Sequence, residues 1–418
     1  MRGLIGAISA LAFMAGSAAS AETLKLVEVI TSPERTEVLQ KQVDAFEAAN
    51  PGTEVEIVSL PWGQAFEKLA TMVAGGDIPD VVEMPDRWAG IYKDKLVDLN
   101  DRNAGWDNGG TLTQKTLDMG RQTDGKTARM IPYGFYLRAM FYNKKLLEEA
   151  GVEAPPSTMA EFMEAAKAVS ALDGKYGYCL RGGPGGLNGW IMMAATMNGD
   201  NTFFDEDGKS TLNQPGSVEG IQFLIDMYQN GYAPKDSVSW GFNEIVAGFY
   251  SGTCAFLDQD PDALIAVAER MEADDFAVVP MPVGPAGKAF PTIGFAGWAM
   301  FDTTSNEDLS WKLIAHLSSP EANKEWAKRV GVIPIHEGAE QDPYFKTEQF
   351  KGWFDTLNGE QYVPTVMPTY LEQFGYFADS IALESSQEAL LGEISAQEVA
   401  DKWAEFLTEE YARWKAAQ

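Results

Sequence analysis

An extended segment that runs into a helix and then into a double proline sets the frame for this chain. Residues 130–142 are rich in aromatic and aliphatic side chains and read as a strand. Residues 143–150 carry mixed charge and read as the opening of a helix. The break Ala154-Pro155-Pro156 follows, and proline continues neither element. Within the strand, two-residue alternation places Tyr136 and Arg138 on one face. A strand that presents a tyrosine and an arginine together, just before a helix and a break, suits a crossing between two lobes. Length asks for the same division. The chain has 418 residues, and single cores stop growing near roughly 250–300.

The N-terminus carries the marks of export. Arg2 supplies a positive charge, residues 4–15 an apolar core, and Ala19-Ser20-Ala21 the small residues of a cleavage site. Residues 1–21 are therefore expected to be a signal peptide, cut after Ala21, with a bacterial periplasm as destination. The apolar core falls short of the ~20 residues of a membrane span, and no later run approaches that length. No cysteine stands at the cleavage site, so neither a lipid anchor nor direct membrane insertion is expected.

Acidic residues outnumber basic ones, 61 to 32. Phosphate backbones and anionic membranes would be repelled, which excludes nucleic acid as a partner. The surplus maintains solubility and does not identify a substrate. Cys179 and Cys254 are the two cysteines, both in apolar strand-like runs. In an oxidising compartment they can bridge, and two buried thiols are equally compatible with the sequence. His316 and His336 lie far apart and away from both cysteines, so no metal and no cofactor is expected. His336 falls in a turn and reads as a surface residue. The glycine run around Pro184 lacks the spacing of a nucleotide loop, and the acids at 205–207 lack that of a calcium loop.

Strand-like and helical patterns alternate along the chain. Residues 24–30 and 55–59, and the run that starts at Val81, each lead into a helix. The last helix, 396–415, repeats Val399, Trp403, Phe406, Leu407 and Tyr411 at helical spacing, which is a core-facing stripe. The fold class is α/β, with sheets flanked by helices.

Three motifs then stand in a telling order. Phe141-Tyr142-Asn143-Lys144-Lys145-Leu146 precedes Gly151, Pro155-Pro156, Thr158 and Glu161-Phe162. Before it comes Gly76-Asp77-Ile78-Pro79-Asp80-Val81, and far beyond it Gly294-Phe295-Ala296-Gly297-Trp298. Together they closely resemble the extracellular solute-binding proteins of carbohydrate ABC importers, the maltose-binding-protein-like family. The resemblance covers essentially the whole mature chain. It implies a two-lobed periplasmic binding protein fold joined by hinge crossings near 132–139, 290–298 and 331–336. The lobes would comprise 22–135 with 292–335, and 139–288 with 338–418. It implies a small carbohydrate ligand, the transmembrane permease subunits of an importer as partners, a monomer, and no catalysis.

Candidate ligand contacts gather at strand ends and crossings. Ser32 and Pro33 form the first strand–helix corner, which by position alone is a helix cap and which the resemblance places at the cleft. Gly63 and Gln64 open the next helix. Asp86 and Arg87 follow a strand at its C-terminal end, where open α/β sheets place ligands. A carboxylate there can accept from vicinal hydroxyls, and a guanidinium donates in a fixed fork. Tyr136 and Arg138 come from the crossing strand. Gly185, Gly186 and Asn188 permit close backbone approach. Asp258 follows another strand. The resemblance adds Trp240, Phe295, Trp298 and Tyr376 as flat faces for a sugar ring, although Phe295 and Trp298 could equally pack under the hinge.

Other readings remain at this stage. The ligand could be a mono- or disaccharide, such as an α-glucoside, or a polyol or anionic sugar derivative. Asp86, Glu83 or the Asp258/Asp260 pair could serve a secreted carbohydrate enzyme, but no Ser-His-Asp order, zinc signature or nucleophile elbow accompanies them. A role in presenting sugar to a chemoreceptor is compatible with the binding reading.

Overall fold

The computed structural model describes residues 22–417, so the expected signal peptide, residues 1–21, lies outside the described residues. The chain opens with β1 (Glu22–Glu28), α1 (Pro33–Ala49), β2 (Thr53–Ser59), α2 (Trp62–Gly75), β3 (Val81–Pro85) and α3 (Asp86–Tyr92). Two short helices, α4 (Asn100–Ala104) and α5 (Gln114–Gly120), lead to β4 (Ile131–Leu137) and β5 (Ala139–Asn143). Next come α6 (Lys144–Glu149), α7 (Met159–Ser170), β6 (Tyr176–Tyr178), α8 (Leu187–Asn198) and α9 (Pro215–Gln229). They are followed by α10 (Phe242–Tyr250), β7 (Cys254–Gln259), α11 (Ala263–Ala268), β8 (Phe276–Val279) and β9 (Thr292–Met300). The chain ends through α12 (Glu307–Leu317), α13 (Pro320–Val330), α14 (Lys351–Asn358), β10 (Thr365–Val366), α15 (Phe374–Tyr376), α16 (Ala382–Leu390) and α17 (Ala396–Ala416).

Local chemistry marks many of these boundaries. The Ser32 side chain accepts from the Arg35 N–H at 3.3 Å and Pro33 takes the first helical position, so α1 starts there. Reciprocal capping boxes, Thr158 with Glu161 and Ser395 with Glu398, open α7 and α17. Gly76 and Gly199 close α2 and α8 in the left-handed conformation.

The strands form two sheets. In the first, β2, β1 and β3 lie parallel in that order, β9 runs antiparallel beside β3, and β4 pairs with the other edge of β9. β10 adds two residues parallel to the start of β9, although its stretch is one the sequence assigns to the second lobe. The second sheet has the order β6-β7-β5-β8, with β5 antiparallel to both neighbours. Helices flank both sheets. One apolar core joins the first sheet to one face of the second and includes Leu26, Phe135, Trp298, Phe141 and Trp353. The other lies on the opposite face, around Met140, Phe162, Trp190 and Trp403. Met140 and Phe141 are adjacent in β5 and enter different cores, as a pleated strand requires.

The crossings are short. β4 and β5 belong to different sheets, and Arg138 alone separates them. Its N–H donates to the carbonyl of Thr292, where β9 begins, at 3.0 Å. The third passage departs from expectation. Ile333 exchanges two main-chain hydrogen bonds with Phe135 in β4. His336 then holds Thr111 Oγ1 through Nδ1 and the Ser318 carbonyl through Nε2, both at 2.8 Å. So His336 is buried in the first lobe, not on the surface, and burial lowers its pKa. The chain reaches the second sheet only later, where the Val278 N–H donates to the Glu348 carbonyl. Cys179 and Cys254 are joined as a disulfide, with Cα atoms 5.4 Å apart. Among the described residues no helix is long and apolar enough to cross a membrane.

Candidate functional site

Three parallel strands end side by side and build one wall. Asp86 follows β3, residues 31–33 follow β1, and Ser59 to Pro61 close β2. This is the edge of an α/β sheet where ligands bind. Asp86 is half-buried and takes the Arg87 N–H on Oδ1 at 2.7 Å. Burial pushes its carboxyl up, while the Arg87 charge and the main-chain N–H groups of Arg87 and Phe295 oppose that shift. Arg87 is exposed, and its guanidinium lies 5.2 Å above the Trp62 ring. Trp62 in turn stacks on Trp88, with centroids 5.3 Å apart and planes at 12°.

Behind this wall Glu83 fixes the geometry. One of its oxygens receives the N–H groups of Val29 and Ile30, at 2.7 and 2.9 Å. The other receives Arg35 at 2.7 Å and the Tyr133 hydroxyl at 2.6 Å. Tyr133 also meets the Tyr136 hydroxyl at 3.1 Å. A single buried carboxylate therefore holds the β1–α1 corner and, through Tyr133, the ring of Tyr136.

The facing wall belongs to the second sheet. Arg138, 2% exposed, donates to the Asp258 carbonyl at 2.8 Å, to Asp258 Oδ2 at 3.0 Å and to the Gln259 side chain. Its Nε lies 3.4 Å from Asp260 Oδ1. Tyr178 donates to the other Asp258 oxygen. Asp260 and Asp262 continue the chain toward the lobe boundary, and Asp262 lies within electrostatic reach of Tyr136. Burial raises the pKa of Asp260. Burial, with Asp260 beside it, pushes Asp262 up to about 7. Arg181 approaches the same group, and burial and the Arg138 charge bring its pKa down to about 10.

The structure sorts the sequence candidates. Ser32, Pro33, Asp86, Arg87 and Tyr136 stand along the first wall, and Gly63 and Gln64 are the second and third residues of α2 beside it. Asn188 is half-buried at the start of α8, where its carbonyl faces the Thr292 hydroxyl. The other candidates stand elsewhere. Arg138 and Asp258 are buried against each other, so they brace the second wall from behind. Trp298 lies in the core, tilted against Tyr133 and edge-on to Trp326, because β9 is an inner strand covered on both faces. The Phe295 ring is buried in the same core.

The glycines also have a different use. A Cβ on Gly185, which has φ +81°, would fall 2.2 Å from the Arg181 guanidinium, and one on Gly186 would fall 2.2 Å from the Arg181 carbonyl. The space expected for a ligand is filled by Arg181 itself. Trp240 is half-buried, with its ring against Gly248 near Cys179. Tyr376 is 57% exposed beside Phe406 on the second lobe. The candidates had left out Trp62, Arg181 and Asp262. The acids Asp260 and Asp262 just past the end of β7 were a signal for the last, since this is where an α/β sheet places its site.

Parallel strands that end over a cleft, facing a second sheet reached by a one-residue crossing, define a two-lobed α/β receptor. The chain belongs to the bacterial extracellular solute-binding protein family, which it matches over residues 31–324. A Brucella abortus (strain 2308) protein described as a binding protein is 26% identical over 373 residues, covering 87% of this chain and 88% of its own length. The sn-glycerol-3-phosphate-binding periplasmic protein UgpB of Yersinia pestis is 28% identical over 291 residues, which is 65% of this chain and 60% of UgpB. In fold, maltose-bound MalE3 of T. maritima is similar at a TM-score of 0.81 and 23% identity, covering 93% of this chain and 99% of that one. The sugar-binding protein MalE of the phytopathogen Xanthomonas citri reaches 0.78 at 22% identity, covering 95% and 99%.

Proposed function

We propose that this chain is the periplasmic substrate receptor of an ABC sugar importer. It takes a neutral sugar between its two lobes and hands it to the permease subunits as the lobes close. The charge balance of the cleft carries this reading. Arg35 is matched by Glu83, and Arg138 by Asp258 and Asp260. Arg181 faces Asp260 and Asp262. The Arg35 and Arg138 guanidiniums are thereby committed to the protein, and an anion would meet Asp86, Asp260 and Asp262. Hydroxyl groups suit the same carboxylates as donors. Both oxygens of Glu83 and of Asp258 are held by donors from the protein, so these carboxylates brace the walls and do not act on the ligand. The ligand is therefore released unchanged, and the receptor works as a monomer.

The relationship to UgpB favours one second reading, a phosphorylated polyol as ligand. A thermal-shift series with glucose, maltose, trehalose, sucrose and sn-glycerol 3-phosphate decides between them. A ligand at a hundredfold excess over its Kd adds ~2.7 kcal/mol of stability. A shift with a neutral sugar and none with the phosphate supports the proposal. A shift with the phosphate alone overturns it.

A further inference from the structure

The two lobes meet at an acidic corner of the second sheet. Gly331, at the end of α13 in the first lobe, packs on the main chain of Pro261. Asp260 and Asp262 flank that proline. With Asp258 they place three carboxylates around two guanidiniums, Arg138 and Arg181. Arg138 holds Asp258 at 3.0 Å and has its Nε 3.4 Å from Asp260. Asp262 is the carboxylate left over, and its Oδ1 is buried without a hydrogen-bond partner. Burial, with Asp260 beside it, pushes this carboxyl up to about 7, which the more distant Arg138 and Arg181 only partly oppose. Charged groups on the helices packed around the corner are turned elsewhere. In α10, which lies against α11, Glu244 accepts the Gly241 N–H of its own first turn, and the Tyr250 ring lies under Arg270. In α13, Lys328 is held by Asp342 at 2.8 Å and Arg329 is exposed.

Across the boundary stands Tyr136 of β4, within electrostatic reach of Asp262. The direction of its hydrogen bond is fixed from behind. The Tyr133 hydroxyl gives its one proton to Glu83 at 2.6 Å, and its oxygen accepts from Arg35 at 3.1 Å. In the 3.1 Å contact between the two tyrosine hydroxyls, Tyr136 is therefore the donor. Its oxygen then offers only lone pairs to the second lobe. An ionised Asp262 also offers only lone pairs, so the two repel. A protonated Asp262 has an O–H to donate.

We propose that Asp262 and Tyr136 form a proton latch between the lobes: on closure Asp262 takes up one proton from solvent and donates a hydrogen bond to the Tyr136 oxygen. Closure also strips water from Asp260 and Asp262, both half-buried beforehand, which favours the neutral acid further. The closed receptor then binds this proton more tightly than the open one. The latch is complete at low pH and is lost as pH rises through the value for the closed form. Acid therefore holds the receptor closed on its ligand, and alkali loosens it. The inference rests on the sugar reading above and adds a proton to its binding step.

Titration calorimetry on the full mature chain with glucose, maltose, trehalose and sucrose, in two buffers of different ionisation heat, counts that proton. With the sugar that binds, uptake should be close to one at about pH 8, and affinity should fall about tenfold between about pH 7 and about pH 8.5. Asp262→Asn is neutral at every pH and should hold affinity within about twofold over that range, whereas Asp262→Glu should restore the fall. Tyr136→Phe removes the acceptor and should reduce the fall to about threefold or less. Cooperative unfolding transitions show that the variants are folded. Affinity that is the same at both ends of the range overturns the latch while the sugar reading stands. So does a fall that survives Asp262→Asn. If none of the four sugars binds at any pH, the sugar reading falls, and small-angle scattering of the unliganded chain decides the latch. The radius of gyration should then rise between about pH 6 and about pH 8.5 in the parent and stay constant in Asp262→Asn, and a constant value in the parent overturns the latch.

Discussion

Gly331 rests directly on the main chain of Pro261: a Cβ on it would stand 2.5 Å from the Pro261 carbonyl oxygen and 2.6 Å from the Asp262 Cα. The glycine ends α13 with φ +70°, in the left-handed region. It therefore brings the first lobe against the strand end that carries Asp260 and Asp262.

Gly331→Ala should lower stability by about 2 kcal/mol, from backbone strain and the contact with Pro261 together. Urea unfolding measures this. An unchanged midpoint would mean that the two segments separate freely.

Glu83→Gln should cost about 3 kcal/mol, because it leaves the Arg35 charge buried without a counter-charge. Adding Arg35→Met removes that orphaned charge, so the double variant should lose less than the two single losses combined. Denaturant midpoints of the four proteins in the cycle show whether the pair acts as one unit.

Reducing the Cys179–Cys254 bond should lower stability by about 2–4 kcal/mol, given the 75 residues it spans. Cys179 lies two residues before Arg181, so reduction should also weaken sugar binding. Unfolding and binding measured with and without a thiol reductant test both effects, and binding that survives intact would separate Arg181 from the site.

Stability should fall as pH rises from about 4 to about 7. Asp262 has its folded pKa pushed up to about 7, against an unfolded value of about 3.9. The folded state then binds more protons than the unfolded state, so the slope of stability against pH is negative in this window. The contribution is complete below the unfolded value and is lost as pH passes the folded one. Asp262→Asn should flatten the profile between about pH 4 and about pH 7, as read from urea midpoints. A profile that keeps its slope assigns the effect to Asp260, Asp86 or Glu28, whose burial also raises their pKa values.

Asp86→Asn should weaken sugar binding about tenfold, the size of one charged hydrogen bond. The folded state should be unaffected, since Asp86 is half-buried at the end of a strand. Calorimetry with maltose is the check, and unchanged affinity would remove Asp86 from the site.

Much of the frame was legible in the sequence because its causes are local. Ser32 and Pro33 announce the start of α1, and the stripe from Val399 to Leu407 announces a helix with one buried face. Each depends on residues within a few positions of one another. The strand-to-helix corner that offers Asp86 and Arg87 could be found in the same way.

The tertiary structure decided what each of those residues faces. Trp298 and Phe295 lie in the core because β9 has β3 on one edge, β4 on the other and packed side chains on its faces. Arg138 sits behind the wall because Asp258 and Gln259 pair with β5 just where the crossing ends. The bond between Cys179 and Cys254, and the shared burial of Asp260 and Asp262 with two arginines, likewise depend on strands distant in sequence. Helix caps and periodicity follow from near neighbours along the chain. Burial, charge partnership and disulfide pairing follow from neighbours in space, which come together only when the sheets have formed.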